Sequence, residues 1–146
     1  MIYVAYGSNL NMGQMAMRCP QATVIGGMML QGWRLVFRGV ADIIPDSTCS
    51  VPVGLWKITD ECEAALDIYE GFPRLYRKEY IQEGDMTLMA YVMNNDSLTM
   101  PTRRYLDSIA DGYKDFNFDS KSLIDALKFT SDNKRGEGHT PKRYAI

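Results

Sequence analysis

Glu70 is the residue whose position in the sequence most favours acid–base chemistry. It ends a stretch with helical spacing, residues 60–70, and Gly71 follows it directly. A carboxylate in the last turn of a helix lies near the negative end of the helix dipole, and the apolar side chains of Leu66 and Tyr69 would shield it partly from water. Both effects raise the pKa of a carboxyl group toward neutrality, which suits a general base. An exposed glutamate that tolerates a mildly unfavourable position is the alternative that position alone leaves open.

The segment Tyr6-Gly7-Ser8-Asn9-Leu10 could form a binding loop for a negatively charged group. Glycine permits a tight backbone turn, and Ser and Asn side chains commonly bond their own backbone, which leaves consecutive N–H groups free to face a ligand. Such N–H groups suit a carboxylate or a developing oxyanion. A plain turn from strand to helix, with Asn9 or Asn11 as the N-cap, is the simpler alternative. The loop lacks the second glycine and the Lys-Ser/Thr pair of a phosphate-binding P-loop.

The other nucleophilic and metal-binding residue types are too few and too scattered for most active sites. The three cysteines, Cys19, Cys49 and Cys62, are an odd number with no C-x-x-C spacing, which disfavours a disulfide framework and a four-ligand zinc site. The single histidine, His139, lies in the polar tail, and no Gly-x-Ser-x-Gly elbow is present. A Ser-His or Cys-His triad is therefore disfavoured, and we expect Cys62 to pack in the core.

Composition indicates one soluble domain that binds neither nucleic acid nor membrane. The chain has 146 residues, of which 46% are hydrophobic, and a formal net charge of −2. Its richest basic stretch is the C-terminal tail, which a solvated terminus explains at least as well as nucleic-acid binding does. No apolar stretch approaches the roughly 20 residues of a membrane span, and the N-terminus lacks the features of a signal peptide. We expect a cytoplasmic protein with a folded domain over residues 1–129 and a polar tail over residues 130–146.

The elements that must position Glu70 and the loop begin with short strands. Apolar or alternating runs of β-prone residues, bounded by turn residues, predict them. The predicted strands are residues 2–5, 33–37 and 51–58, with a loop at Pro45-Asp46-Ser47 between the last two, and a hairpin of residues 76–82 and 86–91 around Glu83-Gly84-Asp85.

A helix over residues 60–70 carries Glu70 in its last turn. Asp60 predicts its N-cap, and Gly71 together with Pro73 predicts its end. Its predicted buried face consists of residues spaced at i, i+3, i+4 and i+7, which are Cys62, Ala65, Leu66 and Tyr69.

Three further helices are predicted: a short one after Asn11, one that begins near Pro101 and one capped by Asp119. The side chains expected to point inward from the last two helices are Tyr105, Ile109 and Tyr113, and Leu123, Ile124 and Leu127. Because strands come first and helices later, the pattern indicates an α+β domain in which a curled sheet carries helices on its outside.

Four blocks of the sequence together resemble the γ-glutamylcyclotransferase family, which includes the AIG2-like proteins. They occur in the order and spacing of that family between residue 3 and about residue 127, and the Tyr-Gly-Ser-Asn core of the first block is the family signature. The third block keeps a glutamate just before a glycine, as the family does. The blocks are residues 3–10 (YVAYGSNL), residues 39–45 (GVADIIP) with 53–56 (VGLW), residues 66–73 (LDIYEGFP) with 75–78 (LYRK), and residues 101–106 (PTRRYL).

The resemblance implies a mixed, curled β-sheet or barrel with flanking helices, and a cavity between the signature loop and the glutamate. It implies that Glu70 is the catalytic residue. The family pattern places the signature segment and Tyr105 in the substrate pocket. Tyr76 is added because its predicted strand follows Glu70 closely in the sequence. The substrate-binding candidates are Tyr3, Val4, Ala5, Tyr6, Gly7, Ser8, Asn9, Leu10, Tyr76 and Tyr105.

The resemblance also implies an activity. A γ-glutamyl amide carries its own nucleophile, the α-amine, which attacks the γ-carbonyl and yields 5-oxoproline and a free amine. Glu70 would take a proton from the attacking amine and return one to the leaving amine. No cofactor or metal is implied, and the partner is a small-molecule γ-glutamyl substrate whose leaving amine stays open. A non-catalytic binding module on the same fold, and an amide hydrolase that uses water and releases glutamate, are the alternatives. The oligomeric state also stays open.

Overall fold

Ten elements follow one another over residues 1–134, the part of the chain that the computed structural model describes. In chain order they are β1 (Ile2–Ala5), a 3-10 helix (Ser8–Leu10), α1 (Met12–Arg18), β2 (Thr23–Phe37), β3 (Ala41–Lys57), α2 (Asp60–Glu70), β4 (Tyr76–Glu83), β5 (Met86–Met93), α3 (Arg103–Asp115) and α4 (Lys121–Asn133).

The strands of this region form one mixed sheet in the order β2-β3-β1-β5-β4. β1 runs parallel to β5, with Tyr3 opposite Met89, and the other neighbouring pairs are antiparallel. β2 and β4 occupy opposite edges, so the curled sheet does not close into a barrel. The α+β class predicted from the sequence, with a curled sheet and flanking helices, is confirmed. No helix among residues 1–134 is long and apolar enough to span a bilayer.

The β2–β3 hairpin is much longer than the sequence pattern predicts. Residues 33–37 are only the last part of β2, and the loop predicted at Pro45-Asp46-Ser47 lies inside β3. Pairing is interrupted there, because Gln31 pairs with Ser50 while Trp33 pairs with Pro45. The buried Asp46 side chain accepts from the backbone N–H of Thr48 at 2.9 Å and pairs with Arg34 across the hairpin at 2.9 Å. The turn residues therefore form a bulge within one strand and do not separate two strands.

The β4–β5 hairpin is confirmed, with Glu83 opposite Met86 across the predicted turn. The short helix after Asn11 is also confirmed, and the Asn11 side chain caps α1 by accepting from the Gln14 backbone N–H at 3.1 Å. Asn11, the second of the two N-cap candidates, is therefore the helix cap, and Asn9 is left for another role.

α2 has the predicted length but differs from the prediction at two positions. Thr59 is its N-cap, and Asp60 is its first residue. Gly71 adopts a left-handed conformation, φ 70°, and ends the helix directly after Glu70 as predicted. Tyr69 does not join the buried face, because 47% of its surface is exposed. Its hydroxyl instead lies 3.3 Å from the Ser8 Oγ, which turns the ring toward the signature loop.

α3 begins after Pro101 and is capped by Thr102, whose hydroxyl accepts from the Tyr105 backbone N–H at 3.2 Å. Ile109 and Tyr113 are buried and Tyr105 is half-buried, so the predicted inward face is confirmed. The helix approaches the 3-10 turn closely at Gly112, where a Cβ would lie 2.6 Å from the Leu10 Cβ. This close contact fixes α3, and with it Tyr105, against the loop after β1.

Ser120, and not the predicted Asp119, is the N-cap of α4. Asp119 lies one residue earlier, and its carboxylate accepts from the Lys121 backbone N–H at 2.7 Å. Leu123 is buried as predicted, whereas Ile124 is 60% exposed, because the buried face of α4 consists of Leu123, Ala126 and Thr130. The domain boundary predicted after residue 129 falls inside α4, since the buried Thr130 hydroxyl accepts from the Phe37 backbone N–H at 3.0 Å. His139 and the rest of the predicted tail beyond residue 134 lie outside the described residues.

Candidate active site

A cavity of about 320 Å³ opens between the loop after β1, the end of α2 and the face of β5. Most of the residues predicted for the site line this cavity. They are Tyr3, Val4, Tyr6, Gly7, Ser8, Asn9, Glu70, Tyr76 and Tyr105. The structure therefore brings the signature loop, the predicted acid–base residue and both later tyrosines to one place.

Ala5 and Leu10, which were also predicted for the site, do not line the cavity. Ala5 is 1% exposed and pairs with Gly54 of β3 within the sheet. Leu10 is fully buried and packs between β3 and α3, where its side chain lies close to Gly54 and Gly112. Both residues support the loop from the core side.

The loop after β1 presents backbone donors at the cavity. The N–H groups of Leu10 and Asn11 donate to the carbonyl oxygens of Gly7 and Ser8, both at 3.0 Å, and form the 3-10 turn. The N–H groups that precede this turn have no partner within it, as at the start of any helix. Gly7, Ser8 and Asn9, which carry those groups, all line the cavity.

Gly7 is required by a close approach of another side chain. A Cβ at this position would lie 2.9 Å from the Tyr105 hydroxyl oxygen and 3.1 Å from the Ala41 Cβ. The Tyr105 oxygen in turn accepts from the Ala41 backbone N–H at 3.0 Å, and the Ser8 backbone also lies against it. Because this oxygen accepts from the backbone, the hydroxyl hydrogen of Tyr105 is left to donate elsewhere.

Asn9 connects the cavity to α1. Its side-chain amide donates to the Tyr3 hydroxyl at 2.9 Å, and its carbonyl oxygen accepts from Arg18. The Arg18 guanidinium also lies 3.8 Å from the centroid of the Tyr69 ring, within the range of a cation–π contact. Asn9, only 2% exposed, therefore orients Tyr3 and holds Arg18 beside the end of α2.

Glu70 is the single charged side chain among the described residues that line the cavity. It is half-buried, and it forms no hydrogen bond or ion pair with any residue of the described chain. Burial raises the pKa of its carboxyl group to about 7, while the positive charge of Arg18 works in the opposite direction. At neutral pH such a carboxyl group exists in both protonation states, so it can both take and give a proton.

A second acid lies behind the cavity wall and has a structural role. Asp42 is 1% exposed, pairs with Arg38 at 2.7 Å and accepts from the Met93 backbone N–H at 3.0 Å. The Tyr6 hydroxyl donates to the Tyr91 carbonyl oxygen and lies 3.5 Å from the Asp42 carboxylate. These contacts join the β2–β3 hairpin to β5. The Tyr6 hydroxyl therefore forms its hydrogen bond within the cavity wall.

Six further cavity residues were not predicted as site residues. They are Val40, Ala41, Tyr69, Leu75, Tyr91 and Met93. Val40, Ala41, Tyr69 and Leu75 fall within the sequence blocks that carry the family resemblance, so those blocks contained a signal for them. Tyr91 and Met93 reach the cavity only because β5 pairs with β1 and β4, and no local sequence pattern predicts that pairing. Among residues 1–134, no group of three or more His, Cys, Asp or Glu side chains could hold a metal ion.

Most of the chain matches the profile of a known protein family. The profile of the family described as "Gamma-glutamyl cyclotransferase, AIG2-like" matches residues 3–113. No curated protein sequence matches the chain significantly.

Several solved structures share the fold. The uncharacterized protein loc79017 from Homo sapiens is 23% identical with a TM-score of 0.73, and the match covers 99% of this chain and 93% of that chain. A structure described as "Gamma-glutamyl cyclotransferase" is 21% identical with a TM-score of 0.71, covering 99% and 90% of the two chains. An AIG2-like protein from Mus musculus is 17% identical with a TM-score of 0.55, covering 72% and 81%. At these identities the structures establish likeness of fold only.

Proposed function

Because this chain belongs to the γ-glutamyl cyclotransferase, AIG2-like family, we propose that it cleaves γ-glutamyl amides by cyclisation to 5-oxoproline and a free amine. The observation that carries the proposal is the placement of Glu70. Its carboxyl group has no hydrogen-bond partner among the described residues, a pKa raised to about 7, and a place in the same cavity as the backbone N–H groups of the signature loop.

The substrate itself supplies the nucleophile. The α-amine, in its neutral form, attacks the γ-carbonyl carbon; the new C–N bond closes a five-membered ring, and the amide C–N bond to the leaving amine breaks. Glu70 as a carboxylate takes a proton from the attacking nitrogen, and as a carboxylic acid it delivers that proton to the leaving nitrogen. The carboxylate is regenerated and no water is consumed. This is the reason why the reaction needs neither a Ser nor a Cys nucleophile.

Two kinds of donor are available for the negative groups of the substrate. The N–H groups of Gly7 and Asn9 can bind the glutamyl α-carboxylate or the oxyanion that develops on the γ-carbonyl oxygen, whereas the Ser8 N–H already faces the Tyr105 hydroxyl oxygen. The hydroxyl groups of Tyr76 and Tyr105 supply further hydrogens, and Tyr76 donates to no residue of the described chain. A cavity of about 320 Å³ is at the small end of small-molecule sites, which suits a folded glutamyl group. Holding that flexible chain near its attacking geometry is the main expected gain in rate.

The test is a substrate panel with a matched pair of variants. The panel contains γ-glutamyl-alanine, the γ-glutamyl-lysine isomers and γ-glutamyl-alkylamines, with 5-oxoproline detected by mass spectrometry. Glu70→Gln is compared with Glu61→Gln, which makes the same chemical change at an exposed position of the same helix. We expect 5-oxoproline from the wild type and from Glu61→Gln, and a loss of at least about 100-fold in Glu70→Gln.

Other outcomes would support the alternatives. Release of free glutamate without 5-oxoproline would indicate a hydrolase, and an undiminished rate for Glu70→Gln would remove Glu70 from the mechanism. Binding of panel compounds without turnover, measured by calorimetry on folded protein, would support a non-catalytic binding module.

A further inference from the structure

A cluster of polar side chains ties the last turns of α2 to the strands behind the cavity. We propose that Asp67, Tyr91 and Lys78 are positioning residues that hold Glu70 in the cavity by fixing the end of α2 against β4 and β5. This inference rests on the proposed function for its kinetic consequences, but it makes a separate claim about where the Glu70 carboxyl group is held. We refer to the cluster of Glu63, Asp67, Lys78 and Tyr91 as the α2 clasp.

Lys78 is the centre of the α2 clasp. Its ammonium group lies 2.7 Å from a carboxylate oxygen of Glu63 and 3.0 Å from one of Asp67, and only 12% of its side chain is exposed. The Tyr91 hydroxyl donates to the same oxygen of Asp67. Charge-assisted bonds of this kind at half-buried positions are stronger than ordinary surface pairs. β4, through Lys78, and β5, through Tyr91, therefore both bond to one face of α2.

That face of α2 is the one that carries Glu70. Glu63, Asp67 and Glu70 follow one another at i, i+4 and i+7, so they project from the same side of the helix. Lys78 also lies 4.3 Å from the centroid of the Phe72 ring, two residues beyond Glu70. Contacts with Lys78 thus bracket Glu70 on both sides along the chain.

Apolar packing alone does not determine the orientation of this helix end. α2 buries only two of its side chains, Cys62 and Leu66, and both lie before the last turn. In the last turn Ile68 is 84% exposed and Tyr69 is 47% exposed. The polar contacts of the α2 clasp therefore act together with the contacts of Tyr69 to Ser8 and Arg18 in restraining the direction in which Glu70 points.

Tyr91 links this restraint to the cavity wall. Its ring lines the cavity and makes an edge-to-face contact with Tyr3, with 5.9 Å between ring centroids, while its hydroxyl reaches Asp67. Tyr91→Phe keeps the ring and its packing and removes only the bond to α2. This substitution changes no formal charge, so an effect on Glu70 reports a change in its position.

The first experiment does not depend on turnover. The protein is labelled with ¹³C at the glutamate carboxyl groups, and the Glu70 resonance, assigned by its absence in Glu70→Gln, is titrated by NMR. The charged group that faces Glu70 is Arg18 of α1. The other titratable side chains that face it are tyrosines from β1, the loop after β1, β4 and α3, namely Tyr3, Tyr6, Tyr76 and Tyr105. None of these changes in Tyr91→Phe. We expect the Glu70 midpoint to fall by about one pH unit as the carboxyl group moves toward water, whereas an unchanged midpoint would overturn the proposal.

The second experiment separates positioning from folding. On the best substrate of the panel, we expect Tyr91→Phe and Asp67→Asn to lower kcat about 10-fold with KM changed less than 2-fold. Lys78→Met should lose more than Lys78→Arg, which keeps a cation between Glu63 and Asp67. Tyr80→Phe and Lys121→Met are the matched controls, since both side chains are exposed and neither lines the cavity, and they should match the wild type.

The outcomes distinguish this inference from the proposed function. A wild type that releases no 5-oxoproline, together with a lowered Glu70 midpoint in Tyr91→Phe, would refute the activity and support the α2 clasp. Turnover in the wild type, with kcat unchanged in Tyr91→Phe and Asp67→Asn, would support the activity and refute the α2 clasp. A rise in KM at constant kcat would assign Tyr91 to substrate binding and would also overturn the positioning role.

Discussion

Replacement of Gly7 by alanine tests a close contact in the wall of the site. The new Cβ would lie 2.9 Å from the Tyr105 hydroxyl oxygen and 3.1 Å from the Ala41 Cβ, and contacts this short force a neighbour to shift. Tyr105 cannot move away freely, because its oxygen accepts from the Ala41 backbone N–H at 3.0 Å. The substitution therefore strains the wall and weakens a buried hydrogen bond at the same time.

The expected magnitude follows from these two effects. Overpacking by one methyl group costs about 1–3 kcal/mol, and a weakened hydrogen bond adds up to about 1 kcal/mol. We expect Gly7→Ala to lower the free energy of unfolding by about 2–3 kcal/mol. Tyr105→Phe leaves the Ala41 N–H without its acceptor and should cost about 1–2 kcal/mol. The double variant should lose about 1 kcal/mol less than the sum, because phenylalanine has no oxygen for the new Cβ to meet.

Urea denaturation of the wild type, both single variants and the double variant measures this coupling directly. The dependence of the unfolding free energy on urea should be the same in all four proteins, so that the midpoints report stability alone. Additive effects, within about 0.3 kcal/mol, would refute the inference that the Tyr105 hydroxyl occupies the space beside Gly7.

Three further predictions concern the charge and the packing around the cavity. Arg18→Met removes the cation that favours ionised Glu70, so the Glu70 pKa should rise. The acid limb of the pH profile of kcat/KM should then move to higher pH, and an acid limb that stays or moves to lower pH would contradict this. Burial raises the Glu70 pKa from 4.5 to about 7, so the folded protein holds this proton more tightly than the unfolded chain does. The stabilisation that comes from protonated Glu70 is fully present below about pH 4.5 and is lost as the pH rises through 7. Glu70→Gln should therefore gain about 1–3 kcal/mol relative to the wild type between about pH 5 and pH 8 in urea titrations, and a difference independent of pH would be inconsistent with a raised pKa. Gly112→Ala places a Cβ 2.6 Å from the Leu10 Cβ and 2.7 Å from the Asn11 backbone nitrogen, so it should destabilise the fold by about 3 kcal/mol, and an unchanged Tm would contradict the close packing of α3 on the loop.

The features that could be predicted from the sequence depend on local interactions. The end of α2 at Gly71, the hairpin turn before Met86 and the helix after Asn11 are determined by residues within one or two turns of each other. Glu70 could be selected for the same reason, because its place at the end of a helix is a local property. The resemblance then placed it opposite the loop after β1, and both line one cavity.

The features that the sequence pattern missed depend on distant partners. The loop predicted at Pro45 is a bulge because Asp46 pairs with Arg34 on the neighbouring strand. The spacing of Tyr69 matches the buried face of α2, but its ring lies outside the core because it is held by contacts with Ser8 and Arg18 of two other elements. Helical spacing records which residues share a face, but it does not record what the rest of the chain places against that face.

The contribution of Tyr91 shows the same limit in the site itself. Its sequence neighbours describe an ordinary β-prone run, and its link to Asp67 joins residues 24 positions apart. The pairing of β5 with both β1 and β4 is what brings the ring to the cavity and the hydroxyl to α2. Only a three-dimensional arrangement reveals a residue that acts on Glu70 through another side chain.

In the proposed mechanism the substrate's own α-amine, assisted by Glu70, cleaves the amide bond. The most direct test is a reaction of the best panel substrate in H₂¹⁸O, with all products read by mass spectrometry. Cyclisation assisted by Glu70 predicts 5-oxoproline without ¹⁸O, one free amine for each 5-oxoproline, and loss of both products in Glu70→Gln. Glutamate that carries ¹⁸O in its γ-carboxylate would contradict it, because water would then be the nucleophile.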